Sequence, residues 1–102
     1  MRLISNKKII DFSMLYIDFS MLYPDSLRPL QSWRRLIECR SYENFSQLKS
    51  IFGSIDKVGD LIVFDVCGNR YRLITFISFQ KQICFIKQIL THALYDKGGW
   101  KQ

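Results

Sequence analysis

The stretch from residue 61 to residue 90, LIVFDVCGNRYRLITFISFQKQICFIKQIL, decides the fold. Its three apolar segments, at 61–66, 70–79 and 83–90, are rich in β-branched and aromatic residues and predict three strands. The segments Cys67-Gly68-Asn69 and Gln80-Lys81-Gln82 separate them and predict turns. Connections this short join antiparallel neighbours, so the stretch predicts an antiparallel meander without helical crossovers.

The flanking sequence adds a strand and several helices to this meander. Residues 2–5 predict a short strand. Apolar residues at helical spacing predict three helices, over 7–23, 29–39 and 44–52. Thr91 is a candidate N-cap for a short helix over 92–96. This order of elements predicts an α+β fold, and 102 residues predict a single domain over residues 1–102.

Positive charge is concentrated in the last third of the chain. Residues 1–65 contain nine Lys or Arg and eight Asp or Glu, whereas residues 66–102 contain six Lys or Arg and only Asp96. The last third therefore carries five of the six excess positive charges. This imbalance favours a polyanionic partner, either RNA or an acidic protein, and a generic basic surface is the alternative.

Cysteine usage and hydropathy narrow the class of protein. The three cysteines are widely spaced, and only one histidine accompanies them, so we expect neither a disulfide framework nor a zinc site. Reduced thiols indicate a cytoplasmic protein. The longest stretches without a charged residue have eight residues, whereas a membrane-spanning helix needs about 20 apolar ones. The N-terminal sequence has no signal-peptide pattern, and we expect no membrane association.

Strand alternation identifies a candidate anion-binding surface. On a strand over 70–78, Arg70, Arg72, Ile74 and Phe76 share one face. On the next strand, Phe85, Lys87 and Ile89 are expected to share a face as well.

If the two faces coincide, Arg72 and Lys87 project from one surface of the sheet. A planar guanidinium and a compact ammonium together suit a scissile phosphate. The alternative is a pair of solvent-exposed charges with no function.

Three residues near the C-terminus are candidates for further roles at this surface. His92 is the default proton-transfer residue, because the unperturbed pKa of histidine lies near neutrality, although a structural hydrogen-bonding role is the alternative. Tyr95 follows one helical turn later, and nearby cations are expected to lower the pKa of its phenol. Trp100 has two open roles, which are stacking on an RNA base and sealing the edge of the core.

A tandem repeat stands near the N-terminus. The hexapeptide DFSMLY occurs at 11–16 and again at 18–23, a shift of seven residues. Seven residues make nearly two helical turns, so an added copy lengthens a helix by roughly 10 Å and keeps its buried face aligned. A longer partner-binding helix is one reading, and a tolerated duplication is the other.

The motifs of several common enzyme classes are absent from the sequence. It contains no P-loop, no dinucleotide-binding glycine pattern, no Gly-x-Ser-x-Gly turn and no paired metal-ligand cluster. A ribonuclease that needs no metal remains possible, because RNA supplies its own nucleophile, the 2′-hydroxyl.

Six segments together resemble one known family. They are MRLIS at 1–5, YPD at 23–25 with Pro29, Leu30 and Trp33, NFSQLK at 44–49, DKVG at 56–59, VFDVCGNRYRLI at 63–74, and THALYDK at 91–97 with Trp100. In this order and over nearly the whole chain, they resemble the HigB-type toxins of the RelE superfamily. The chain departs from the family pattern in two places: the heptad copy is extra, and Gly53 stands where the family tends to have proline.

The resemblance implies a RelE-like fold, a small antiparallel sheet with N-terminal helices packed on one face and a short C-terminal helix. It implies a toxin that cleaves mRNA on the ribosome by 2′-hydroxyl attack on the adjacent phosphate, without metal or cofactor. It also implies a HigA-type helix-turn-helix antitoxin as partner, with operator DNA bound only through that antitoxin. A non-catalytic RNA- or antitoxin-binding module, a decayed toxin, is the alternative.

The resemblance also suggests a role for each candidate residue. Arg72 and Lys87 would hold the phosphate, and His92 and Tyr95 would share proton transfer. The remaining candidates would bind RNA, and they are Asn69, Arg70, Lys97 and Trp100.

Overall fold

A five-stranded mixed sheet forms the centre of the molecule in the computed structural model, which describes residues 1–5, 21–68 and 70–101. The strands are β1 Arg2–Ser5, β2 Ile55–Val58, β3 Leu61–Val66, β4 Tyr71–Ser78 and β5 Ile83–Thr91. Their order across the sheet is β1-β5-β4-β3-β2. Strand β1 runs parallel to β5, and the other neighbouring pairs are antiparallel. The α+β prediction is confirmed, with the predicted meander as the three middle strands.

The two edge strands account for the differences from the predicted sheet. The sequence analysis predicted β1 but not its parallel pairing with β5, which makes the sheet mixed rather than antiparallel. Strand β2 was not predicted, because Asp56 and Lys57 interrupt its apolar pattern. Both charged residues are exposed on this edge strand, where neighbouring charges are tolerated and discourage edge-to-edge association.

The described helices agree with the predicted ones to within two residues. They are α1 Leu27–Glu38, α2 Phe45–Ile51 and α3 His92–Lys97, with 3₁₀ turns at Pro24–Ser26 and Gly99–Lys101. Helix α1 includes Pro29 in its first turn, where a missing N–H costs no helical hydrogen bond. Most of the predicted helix over 7–23, with most of its repeat, lies outside the described residues.

Helices α1 and α2 cover one face of the sheet. Leu30, Trp33 and Ile37 recur along α1 and are buried against the strands, together with Leu48 of α2. The strand residues in this cluster alternate with those of the opposite face, and they include Leu73, Ile77, Cys84, Ile86 and Ile89. Burial raises the pKa of the Cys84 thiol, and all three cysteines are free thiols.

A β-bulge between β4 and β5 changes which side chains share a face. Ile74 lies opposite Gln88, but the next residue, Thr75, lies opposite Ile86, so Lys87 is the extra residue. Ile89 therefore faces the helices, opposite Leu73. The expectation that Phe85, Lys87 and Ile89 share one face is wrong for Ile89, because strict alternation does not continue through a bulge.

The opposite face of the sheet carries a smaller apolar cluster under α3. Val63, Ile74 and Trp100 are buried there, with Leu90 and Tyr95 packed against them. The Thr91 side chain caps α3 by accepting a hydrogen bond from the Leu94 amide at 3.3 Å. Gly98 ends the helix in the left-handed conformation, φ 77°, which favours glycine. These two ends fix α3 over the sheet.

We expect the two helix caps to contribute similarly to stability. The Asn44 side chain accepts from the Gln47 amide at 2.9 Å and caps α2 as Thr91 caps α3. Thr91→Ala and Asn44→Ala should each lower the free energy of unfolding by about 1 kcal/mol, measured by urea denaturation. Thr91→Ser retains the accepting oxygen and serves as the control. An unchanged unfolding midpoint in Thr91→Ala would contradict the role of this cap.

Candidate functional site

A buried arginine lies at the centre of the site. Arg72 projects from β4 with a fractional exposure of only 6%, and Asp65 lies directly opposite on β3. The guanidinium Nε lies 3.0 Å from the Asp65 carboxylate, and Nη1 donates to the backbone carbonyl of Tyr71 at 3.2 Å. Burial raises the pKa of Asp65, and the Arg72 charge opposes that shift. Thus the predicted cation on the sheet is present but paired rather than solvated.

Arg72 also contacts His92, and this contact indicates which nitrogen of the imidazole accepts a hydrogen bond. Nη2 of Arg72 lies 3.2 Å from Nδ1 of His92. A guanidinium only donates hydrogen bonds, so Nδ1 is the accepting nitrogen. The other nitrogen, Nε2, lies 3.2 Å from the Asp96 carboxylate, one helical turn along α3. These contacts form a polar chain that runs without a break from Asp65 through Arg72 and His92 to Asp96. The outer end of the polar chain is half-exposed.

Two stacked aromatic rings cover the guanidinium. The Arg72 guanidinium carbon lies 5.2 Å from the centre of the Tyr95 ring, a cation–π distance. Tyr95 in turn stacks on Trp100 with ring centres 4.9 Å apart and planes 13° apart. The Trp100 indole donates to the Tyr95 carbonyl at 2.8 Å and is buried, so it seals the edge of the core, one of its two predicted roles.

The pKa of Tyr95 is raised, which corrects the expectation that cations would lower it. Burial is the largest cause, Asp56 adds to it, and the opposing effect of Arg72 is smaller. The sequence expectation considered nearby cations but not desolvation or the surrounding carboxylates. The phenol therefore keeps its proton at neutral pH and is a donor rather than a base.

Lys87 lies on the same side of the sheet, beyond the aromatic rings. It is exposed and lines an open hollow of about 480 Å³. The other lining residues come from the β2–β3 hairpin, β4 and the C-terminal turn, and they are Val58, Gly59, Asp60, Leu61, Phe76 and Trp100. Arg72 and Lys87 therefore share one surface, as predicted, but the guanidinium is buried beneath Tyr95 whereas the ammonium is exposed.

The remaining candidates lie around this centre. Arg70 is exposed and forms an ion pair with Asp25, whose carboxylate also accepts from the Tyr71 hydroxyl at 2.5 Å. The hydrogen bonds from Tyr71 and Arg70 lower the pKa of Asp25. Lys97 is exposed at the end of α3, and Asn69 lies outside the described residues. The structure brings Arg72, His92, Tyr95 and Trp100 into one cluster and turns Arg70 towards a separate one.

The sequence analysis did not predict the two carboxylates of the polar chain. Asp65 is the only charged residue in LIVFDV, and a charge inside such an apolar strand indicates a buried partner. Asp96 follows His92 by four residues, the spacing at which helical side chains meet. Both signals were present in the sequence.

Across residues 1–5, 21–68 and 70–101, no helix has the length and apolar character needed to cross a bilayer. In the same described ranges, no three His, Cys, Asp or Glu side chains converge as a metal ion would require.

Comparison with known proteins gives the family. A family model for HigB toxins, described as the RelE-like toxic component of a toxin-antitoxin system, matches residues 26–98. The chain belongs to the HigB toxin family. The mRNA interferase HigB of Escherichia coli O6:H1 (strain CFT073) is 32% identical over 77 residues, which cover 72% of this chain and 75% of that protein.

A second HigB protein matches a shorter segment. The mRNA interferase toxin HigB of Escherichia coli (strain K12) is 38% identical over 52 residues, 48% of this chain and 50% of the relative. The alignment thus spans about half the length of that HigB protein. Arg72, His92 and Tyr95 all lie within the segment that matches the family model.

Asp65→Asn is expected to destabilise the fold, because it leaves the buried Arg72 charge without its counterion. We expect a loss of roughly 3 kcal/mol in the free energy of unfolding, measured by chemical denaturation. Asp56→Asn, on the exposed edge strand β2, removes the same charge and should change stability by less than about 0.5 kcal/mol. Equal stabilities for the two variants would show that the Arg72–Asp65 pair does not matter to the fold.

Proposed function

We propose that this protein is the mRNA-cleaving toxin of a toxin–antitoxin pair and that it acts in the cytoplasm on translating ribosomes. One observation carries the proposal: Arg72 contacts both His92 and Tyr95 within the segment that matches the HigB family. The proteins named mRNA interferase HigB support mRNA as the substrate. The net charge of +6, concentrated after residue 65, favours a polyanion.

The proposed reaction is a transesterification within the RNA. The 2′-oxygen attacks the adjacent phosphorus, the bond from phosphorus to the 5′-oxygen breaks, and a 2′,3′-cyclic phosphate remains. One proton leaves the 2′-hydroxyl and another reaches the departing 5′-oxygen. Because the RNA supplies the nucleophile, the reaction uses no metal ion or cofactor.

Arg72 and Lys87 stabilise the negative charge that develops on the phosphate. Nη2 of Arg72 contacts His92, whose side chain is half-exposed. A phosphate oxygen that accepts from Nη2 competes with Nδ1 of His92 for this donor. Lys87 adds a solvent-exposed charge on the same side of the sheet. Donors held in place before the reaction lower its barrier more than mobile ones.

His92 and Tyr95 divide the two proton transfers. When the phosphate accepts the hydrogen bond from Nη2 of Arg72, the lone pair on Nδ1 becomes available and accepts the 2′-hydroxyl proton. Tyr95 keeps its proton at neutral pH because its pKa is raised, which suits it to protonate the 5′-oxygen. The ring of Tyr95 already lies against the Arg72 guanidinium.

The surrounding candidates bind the RNA strand or ribosomal RNA. Arg70 and Lys97 are exposed cations, and Asn69 precedes Arg70 in the sequence. Trp100 supports the site through its stack on Tyr95, and in the proposed complex this aromatic pair contributes to RNA binding. A HigA-type helix-turn-helix antitoxin would hold the toxin inactive and would link it to operator DNA.

Cleavage of a defined mRNA on purified ribosomes tests the proposed site. His92→Ala should reduce cleavage by about 100-fold or more, because it removes a proton-transfer group. Arg72→Lys keeps the charge beside Asp65 but loses the planar fork, and it should reduce cleavage by about 100-fold. Circular dichroism establishes that each variant is folded.

Arg35→Ala is the matched control, since Arg35 is an exposed cation on α1, on the opposite side of the sheet. Its cleavage rate should equal that of the unaltered protein. Codon-adjacent cleavage that persists at full rate in both His92→Ala and Arg72→Lys would show that the site lies elsewhere.

The duplicated heptad favours a second candidate function, a non-catalytic RNA- or antitoxin-binding module. Growth on expression separates the two candidates. The toxin proposal expects arrest on expression alone and relief when a neighbouring helix-turn-helix protein is co-expressed. The binding module expects ribosome or antitoxin binding with neither arrest nor cleavage.

A further inference from the structure

The single histidine of the chain is held from both sides by partners with opposite hydrogen-bonding capacity. The Arg72 guanidinium, at Nδ1, can only donate. The Asp96 carboxylate, at Nε2, can only accept while it is ionised. Each partner favours the neutral tautomer with the proton on Nε2 and the lone pair on Nδ1. The two contacts therefore act together, and the loss of either one should lower the population of this tautomer.

We propose that Asp96 is a positioning residue that holds His92 in the Nε2–H tautomer, so that the Nδ1 lone pair faces the Arg72 guanidinium and the phosphate site. A carboxylate in this position orients the imidazole, excludes the unproductive tautomer and stabilises the imidazolium formed when Nδ1 takes a proton. The inference rests on the proposed function, because the proton accepted at Nδ1 is that of the RNA 2′-hydroxyl.

The construction of α3 supports this role. His92 is the first residue of the helix and Asp96 is one turn later, so both side chains lie on the same side of α3. The Thr91 cap and the left-handed Gly98 hold both ends of this six-residue helix. The backbone amide of His92 also donates to the Arg70 carbonyl at 2.9 Å, which fixes the start of the helix against β4.

The charge of Asp96 makes the positioning role separable from a simple electrostatic one. Asp96 is the only acidic residue after residue 65, and it lies beside the proposed phosphate site. Through charge alone it repels RNA, so its removal should tighten binding and leave or improve cleavage. Through positioning it supports catalysis, so its removal should slow the chemical step. The two roles predict opposite effects of the same substitution.

The first measurement is the tautomer of His92 in the untagged protein. Long-range ¹H–¹⁵N correlation spectra distinguish a protonated ring nitrogen from a bare one, and the single histidine makes the assignment direct. The spectra are recorded at about pH 8.5, two units above the ordinary histidine pKa. The unaltered protein should show only the Nε2–H form. Asp96→Asn, whose amide can donate as well as accept, should populate the Nδ1–H form.

The second measurement separates binding from chemistry in ribosome-dependent mRNA cleavage. Asp96→Asn should lower kcat at least about tenfold, whereas KM should stay constant or fall. Asp96→Glu retains an accepting carboxylate and should recover much of kcat. Glu43→Gln removes the same charge from an exposed position before α2 and should match the unaltered protein in both measurements.

Two results would overturn the inference. One is an Asp96→Asn spectrum with His92 still entirely in the Nε2–H form, and the other is an unaltered protein that does cleave mRNA, but no faster than Asp96→Asn does. An unaltered protein that cleaves no mRNA would instead contradict the proposed function, while the tautomer spectra would still test the role of Asp96.

Discussion

The ion pair between Arg72 and Asp65 is the constraint around which this molecule is arranged. It joins two neighbouring strands in the middle of the sheet, at a position where the guanidinium is almost fully buried. A charge at this depth is tolerated only if its N–H donors have hydrogen-bond acceptors. Three acceptors contact the Arg72 guanidinium: the Asp65 carboxylate, the Tyr71 carbonyl and the His92 imidazole. The same contacts that make burial possible also position the imidazole. Stability and the candidate chemistry therefore depend on one side chain.

One face of the sheet contributes the main apolar core, and the other face carries the candidate site. Helices α1 and α2 cover one face with a continuous apolar core. Among the described residues, those that cover the other face belong to α3, the C-terminal turn and the stack of Tyr95 on Trp100. On this face His92 and Lys87 are accessible to solvent, whereas the Arg72 guanidinium is buried. A small domain with one well-packed face can thus present cations on the other without losing its core.

Local patterns in the sequence predicted much of this arrangement. Segments rich in β-branched and aromatic residues located β3, β4 and β5, and Thr91 marked the start of α3. Strand parity also placed Arg72 and Lys87 on one surface. The parallel pairing of β1 with β5 escaped prediction because it joins segments some 80 residues apart in sequence, which no local pattern specifies.

Other features depended on properties that a linear pattern does not contain. The bulge at Ile74 and Thr75 carries no glycine or proline to mark it, so the change of face at Ile89 was missed. The pKa of Tyr95 was assigned the wrong direction because desolvation depends on what covers the ring. Asp65 and Asp96 were visible as charged residues, but their importance depends on the arginine and the histidine that they contact in three dimensions.

The most direct test of the central claim uses an mRNA whose cleavage position on the ribosome has been mapped with this protein. A single 2′-deoxyribose is placed at the nucleotide that supplies the attacking oxygen, and a matched mRNA carries the same change one nucleotide upstream. Attack by the 2′-hydroxyl predicts that the first mRNA stays intact at the mapped position and that the second is cleaved normally. Equal cleavage of both would contradict the account, because the phosphate would then be attacked by something other than the RNA itself.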